Sequence, residues 1–244
     1  MKKYATLTVA LACNLVLYAQ TRQGTITYER KIDVHRHMQD EQMKAMVPQF
    51  QTANYVLVFK DSISAYKAAP KDDAPDPFDG GGGAHIVMRF GGPGEDGVQY
   101  KNFSSSQTME ESKLDEKKYI VTDSIKPQGW KLADETKTVL NHACKKATLT
   151  TERGSKVVAW YADDIPVPAG PDRFSGLPGA VLLVDVDNGS VVFTATEIKP
   201  AADAKDLKAP TDGKLITRAD FTKKMDEVLG PADAQGRRII TKDN

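Results

Sequence analysis

From residue 98 onward the chain is a succession of short β-favouring runs: 98–103, 106–109, 118–122, 137–140, 144–150, 157–162, 180–187 and 190–198. Most are separated by brief polar turns, and such regular short runs predict an antiparallel sheet that meanders rather than alternating strands and helices. Asn188-Gly189, between two β-rich runs, is the strongest short hairpin signal, because both turn positions take φ > 0. In the run before it, Ala180, Leu182, Val184 and Val186 alternate with Val181, Leu183, Asp185 and Asp187. The first half of each set is apolar, so this strand is expected to be covered on both sides.

Ahead of residue 98 the pattern is more mixed. Residues 24–34 alternate and are β-branched, which reads as a strand. Residues 39–50 carry Met43, Met46, Val47 and Phe50 at i, i+3, i+4 and i+7, a helical stripe that Pro48 should kink or end. Residues 54–59 and 63–66 flank Lys60-Asp61-Ser62 as a hairpin, and 70–97 is a Pro-, Asp- and Gly-rich excursion in which only 86–90 has strand character. Near the end, Thr217 and Asp220 form a capping pattern. Phe221, Met225, Val228 and Leu229 then give a helix its apolar face, and Gly230-Pro231 stops it. Ile239 and Ile240 in the tail 236–244 suggest an added edge strand.

The first 19 residues have a lysine pair followed by an apolar run and a small residue at Ala19, the pattern of a secretory signal peptide. Residues 20–244 are then expected to form a single β-rich domain, periplasmic or secreted. The 33 basic and 33 acidic residues balance, and removing Lys2 and Lys3 leaves 31 against 33. No strong field points to nucleic acid, and the chain is expected to be peripheral to a membrane at most. Of the two cysteines, Cys13 lies in the leader, where the surrounding residues make a poor lipidation signal. Cys144 is left without an intramolecular partner and is expected to be a small buried hydrophobe.

Several stretches imitate chemical motifs. Gly92-Pro93-Gly94-Glu95-Asp96-Gly97 matches G-x-G-x-x-G, but a strand follows and the two acids would repel phosphate, so a dinucleotide site is not expected. Asp185, Asp187, Asn188 and Gly189 resemble the start of a calcium loop with the wrong spacing. His35 and His37 with Met38, Met43 and Met46 form a soft donor set that would suit copper, provided the two histidines sit on a strand and point the same way. There is no G-x-S-x-G elbow and no H-E-x-x-H, so neither a catalytic residue nor a cofactor is called for. Trp130, Trp160 and Tyr161 read as core or as the lining of a cleft.

The ordered series His142-Ala143-Cys144-Lys145-Lys146-Ala147, Val158-Ala159-Trp160-Tyr161, Asp164-Ile165-Pro166, Gly170-Pro171 and Phe174-Ser175-Gly176-Leu177-Pro178-Gly179 resembles the GLPGLI family of secreted or periplasmic proteins of Bacteroidota. Ala180-Val181 stands where the name-giving motif has Leu-Ile. The resemblance implies an α+β, mainly β fold: a strongly curved antiparallel sheet, an open half-barrel similar to lipoprotein carriers, with one N-terminal and one C-terminal helix. It carries no catalytic residue over. Physically, Pro166, Pro168 and Pro171 stiffen the approach, while Gly170, Gly176 and Gly179 allow backbone conformations that other residues avoid.

These readings lead to a non-enzymatic envelope protein. Its first expected ligand is apolar, a lipid or an acylated group, held on the concave face by Phe174, Leu177, Trp160, Met43, Met46 and Phe50. That reading requires a cavity covered by the 43–50 segment or the 221–229 helix. The alternative is a protein-interaction module serving an outer-membrane receptor or transporter, which requires a filled core and an exposed apolar or edge-strand surface. Copper binding through His35, His37 and Met38 is the third expectation.

Overall fold

The computed structural model describes residues 22–38, 40–70 and 97–231. The leader with Cys13, the 86–90 run and the tail at 236–244 lie outside the described residues.

Short two-residue turns build most of the architecture. Asp61-Ser62 joins β2 (Phe50–Lys60) to β3 (Ile63–Ala68), with Asp61 at φ 52°. Asp115-Glu116 joins β5 (Gln107–Leu114) to β6 (Lys117–Ser124), both residues at positive φ. Leu140-Asn141 does the same between β7 (Lys131–Val139) and β8 (His142–Thr150). Left-handed pairs of this kind match the natural twist of the strands they connect. The Asn188-Gly189 hairpin joins β10 (Ala180–Val186) to β11 (Val191–Lys199), but its loop is longer than two residues. Asp187, Asn188 and Gly189 all take positive φ, and the strands first pair at Val186 and Val191. The acids of the calcium-like stretch serve this turn: Gly189 N–H donates to Asp185 Oδ1 at 2.6 Å and Lys156 N–H to Asp187 Oδ1 at 2.7 Å.

With β1 (Gln23–Asp33), β4 (Gln99–Asn102), β9 (Lys156–Ala162) and β12 (Lys214–Thr217), these strands make one twelve-stranded sheet, ordered β12-β6-β5-β4-β3-β2-β1-β11-β10-β9-β8-β7. The protein is mainly β, and the sheet is open and mixed. Every pairing is antiparallel except that of β12 with β6. Two meanders, β2 to β6 and β7 to β11, are joined by β1, which pairs with the first strand of one and the last of the other. The link between the meanders, residues 125–130, leaves β6 and enters β7 at the opposite end of the strand order. Fully extended it reaches about 25 Å. In a flat sheet those strands would lie about 48 Å apart, so the two halves must come round towards each other.

Two helices flank the sheet. α2 (Arg218–Leu229) begins at Thr217, whose hydroxyl accepts from Asp220 N–H at 3.1 Å, and ends at Gly230 with φ 77°. Phe221 packs on Tyr119, with ring centroids 5.5 Å apart, in a cluster with Leu114 and Val121. β12, which feeds directly into α2, has no counterpart in the sequence reading. α1 (Glu41–Met46) is shorter than the 39–50 stripe predicts. The Asp40 carboxylate caps it, Val47 is already extended, and Phe50 starts β2 by pairing with Asp33. Pairing with β1 thus captures the end of the expected helix. His35 and His37 lie on a 3-10 turn rather than on a strand, because β1 ends at Asp33.

Candidate functional site

Residues 163–179, which hold the last three blocks of the sequence resemblance, connect β9 to β10 and form a strap packed into the sheet's core. Ile165, Val167 and Ala169 join Tyr28, Tyr55, Leu57, Phe59 and Tyr66 in the largest buried cluster. Phe174 and Leu177 join Tyr161, Val181, Val184 and Phe193 in a second. Leu177 is 1% exposed and Phe174 5%. Backbone hydrogen bonds fix the strap's course: Ala180 N–H donates to Ile165 O and Val181 N–H to Ala169 O, both at 2.9 Å, and Gly176 N–H to Pro168 O at 2.8 Å.

The glycines act by two different means. Gly176 has φ 87° with open space around it, so conformation is its reason. At Gly179 a Cβ would lie 2.0 Å from Ala162 O, and at Gly170 one would lie 2.3 Å from Phe174 O. Neither Gly170 nor Gly179 has positive φ; lack of room selects glycine there. Ala180 and Leu182 join the first cluster, whereas Val181 and Val184 join the second. A bulge between Val181 and Leu183 breaks the alternation that the sequence suggests.

β4 and the 125–130 link hold the strap's outer turn. Lys101 on β4 donates through Nζ to Asp172 O at 2.8 Å and Ser175 Oγ at 3.4 Å. Trp130 Nε1–H donates to Ser175 O at 3.0 Å, and Gln128 Nε2 to Arg173 O at 2.5 Å. Lys101 is 7% exposed, and burial pushes its ammonium down to about 8, partly offset by Asp172. Nearby, the Arg30 guanidinium lies 4.9 Å from the centre of the Tyr55 ring, which stacks on Tyr66 at 5.1 Å. Tyr66 Oη, Gln99 Oε1 and Asp172 Oδ1 are buried without a protein partner. Burial raises the Tyr28 and Tyr66 phenols above their ordinary range. Tyr28 Oη donates to Val181 O at 2.6 Å. Sequence reading missed this polar interior, because a lysine and a glutamine on a short strand read as solvent-facing.

The residues proposed for an apolar ligand are not brought together. Phe174 and Leu177 meet inside the core, while Trp160 packs against the other cluster, with Lys137 Nζ 5.7 Å from its ring centre. Met46 and Phe50 are 83% and 44% exposed, Met43 is half-buried, and α1 buries no residue. Phe50 lies beneath Lys31 Nζ at 4.8 Å. α2 packs on Leu114, Tyr119 and Val121 of β5 and β6 rather than on the strap face. Among the copper candidates, His35 Nε2 is 2.9 Å from Val47 O and Met38 is half-buried; the side chain of His37 lies outside the described residues. Among the described residues no group of three or more His, Cys, Asp or Glu could hold a metal ion. Cys144 is fully buried, and its thiol is pushed up to about 11, so it is core.

The family described as N-glycanase peptide, N-terminal domain, matches residues 95–224, more than half of the chain. The chain belongs to this family. The matched stretch begins just ahead of β4, runs through most of α2 and includes the entire strap. No curated protein matches significantly. Two solved structures of PNGF-II share the fold. One, in space group C2, has a TM-score of 0.56 and 18% identity over 83% of this chain. The other, in space group P21, has a TM-score of 0.58 and 16% identity over 85%. The chain spans about a third of the length of either, 32% and 34%.

Proposed function

We propose that this protein is a non-catalytic binding module that works outside the cytoplasm and whose partner is another protein. One observation carries the reading: the interior face that an apolar ligand would need is occupied by the chain's own strap, through Ile165, Val167, Phe174 and Leu177. A filled core leaves the outer surface as the place where binding occurs, and the sheet offers β7 as an edge strand with its outer side unpaired in the described sheet. On β7, Leu132 is 58% exposed. The family name and the PNGF-II chains, about three times as long, support a unit that accompanies other protein chain. The leader-like first 19 residues support an extracytoplasmic location. On this reading the sheet is the strongly curved half-barrel of the GLPGLI resemblance, with the strap filling it.

The test combines two measurements on protein purified without detergent. Native mass spectrometry is expected to give the apo mass, unchanged by added phospholipid or fatty acid. A photo-reactive residue in place of Leu132 is expected to cross-link to a discrete protein in an envelope extract, and the same residue at Lys156 is not. A stoichiometric lipid-like mass that disappears in Leu177→Ser would overturn the reading in favour of an apolar cargo. Absence of any Leu132-specific adduct would remove β7 as the docking edge.

A further inference from the structure

The outer turn of the strap, residues 171–175, is held differently from its base. Backbone bonds fix the base: Gly176 N–H donates to Pro168 O at 2.8 Å, and Ala180 and Val181 N–H to Ile165 O and Ala169 O at 2.9 Å. Side chains hold the outer turn to the rest of the protein. Lys101 Nζ donates to Asp172 O, Gln128 Nε2 to Arg173 O and Trp130 Nε1–H to Ser175 O. One apolar anchor adds to them, the Phe174 ring against Phe193 with centroids 6.0 Å apart.

The closed turn also carries a polar penalty. It shuts the Lys101 ammonium into the interior, and Gln99 Oε1, Asp172 Oδ1 and Gln128 Oε1 are buried without a protein partner. Each such atom forgoes a hydrogen bond that water would supply. Three charged groups act on Lys101. Asp172 and Glu110 favour its ammonium form, and Arg173 opposes it. Glu110 is shared with Arg218 at 2.5 Å, and Asp172 with Arg173 at 3.6 Å. Burial outweighs them all and brings Lys101 down to about 8. A neutral amine still has two N–H groups, enough for Asp172 O and Ser175 Oγ, so the closed turn accommodates it with both bonds kept.

We propose that the outer turn is a clasp that opens on its fixed base without unfolding of the sheet, driven by hydration of the Lys101 side chain and resisted by the Phe174 anchor. Once hydrated, Lys101 returns to its ordinary 10.5. The closed value lies below the open one, so opening takes up a proton. Opening is therefore promoted as the pH falls from 10.5 to 8 and levels off below 8. The clasp is independent of which partner the outer surface binds.

The experiment is hydrogen exchange on the native protein, read as protection factors at the Trp130 indole N–H and at the amides of Gly176, Ala180 and Val181. The indole is expected to be less protected than the three base amides throughout. Its protection is expected to rise by about 10-fold from pH 7 to pH 9, the ratio set by a closed value of about 8 and an open value of 10.5. Lys101→Met is expected to remove this pH dependence. Phe174→Ala is expected to lower the indole's protection at both pH values and leave the pH dependence in place. Equal protection at Trp130 and the base amides would mean that the turn opens only with global unfolding. Protection at Trp130 that does not change with pH would mean that Lys101 is not hydrated on opening. Either result in the native protein overturns the proposal without requiring any variant to fold.

Discussion

At the residue scale, two glycines of the strap separate conformation from space. Gly176→Ala meets no neighbour but must hold a positive φ, and is expected to cost about 1 kcal/mol. Gly179→Ala drives a methyl into the Ala162 carbonyl and is expected to cost about 3 kcal/mol, because the obstacle is backbone in a packed core. Leu177→Ala, which empties a fully buried position, is expected to cost about 2–5 kcal/mol. Urea unfolding of the three variants checks both order and size. Lys101 makes a different prediction. Its folded value of about 8 lies below its ordinary 10.5, so between those values the unfolded chain still holds a proton that the folded chain has released. Stability therefore rises with pH through that window. Tyr28 and Tyr66 act in the opposite sense: their contribution is present below pH 10 and is lost above it. The expected profile climbs from pH 8 towards 10 and then falls. Lys101→Met should remove the climb and leave the fall, as read by chemical denaturation from pH 7 to 11.

At the element scale, α2 depends on its apolar anchor more than on its cap. Thr217→Ala is expected to cost about 1 kcal/mol and to fray the first turn. Phe221→Ala removes the helix's buried contact with Tyr119 and is expected to cost about 3–5 kcal/mol. Amide hydrogen exchange distinguishes the two. The first variant should expose only the start of α2, whereas the second should also loosen β12, which reaches the sheet only through β6. This helix was legible in the sequence because cap, stripe and stop signals agree. α1 was only partly so. Its methionine stripe has helical spacing, yet pairing of Phe50 with Asp33 belongs to the sheet and takes the C-terminal half of the pattern. β12 was not legible because four residues give too short a period, and its parallel pairing follows from where α2 docks.

At the scale of the whole molecule, β1 holds the two meanders together, so its pairing with β11 spans nearly the entire described chain. Contacts of such large sequence separation make folding slow, and the chain is expected to refold in milliseconds to seconds rather than microseconds. The exposed edge is the molecule's other liability. β7 carries Lys131, Asp134, Glu135 and Lys137, and a register shift falls between Ala133 and Thr136. Charges and bulges on an edge keep copies of the chain from pairing edge to edge with one another. Replacing Asp134, Glu135 and Lys137 together with Val is expected to leave the fold in place and produce oligomers, which light scattering would detect.

The sequence by itself determined the β-rich class, most strand positions, the hairpins at Asp61-Ser62 and Asn188-Gly189, the capped C-terminal helix and the buried fate of Cys144. All of these rest on local signals: alternation of side chains, turn residues with a backbone preference, caps, and a lone apolar thiol. The tertiary structure alone decided that the strap fills the sheet and that Lys101, Gln99 and Tyr66 form a polar interior beneath it. It also decided that Phe174 and Leu177 are core, whereas Met46 and Phe50 stay at the surface. A strand residue reads the same in sequence whether it meets water, a ligand or a returning loop. Only the path of residues 163–179 across the sheet distinguishes these outcomes, and that path depends on contacts between segments far apart in the chain.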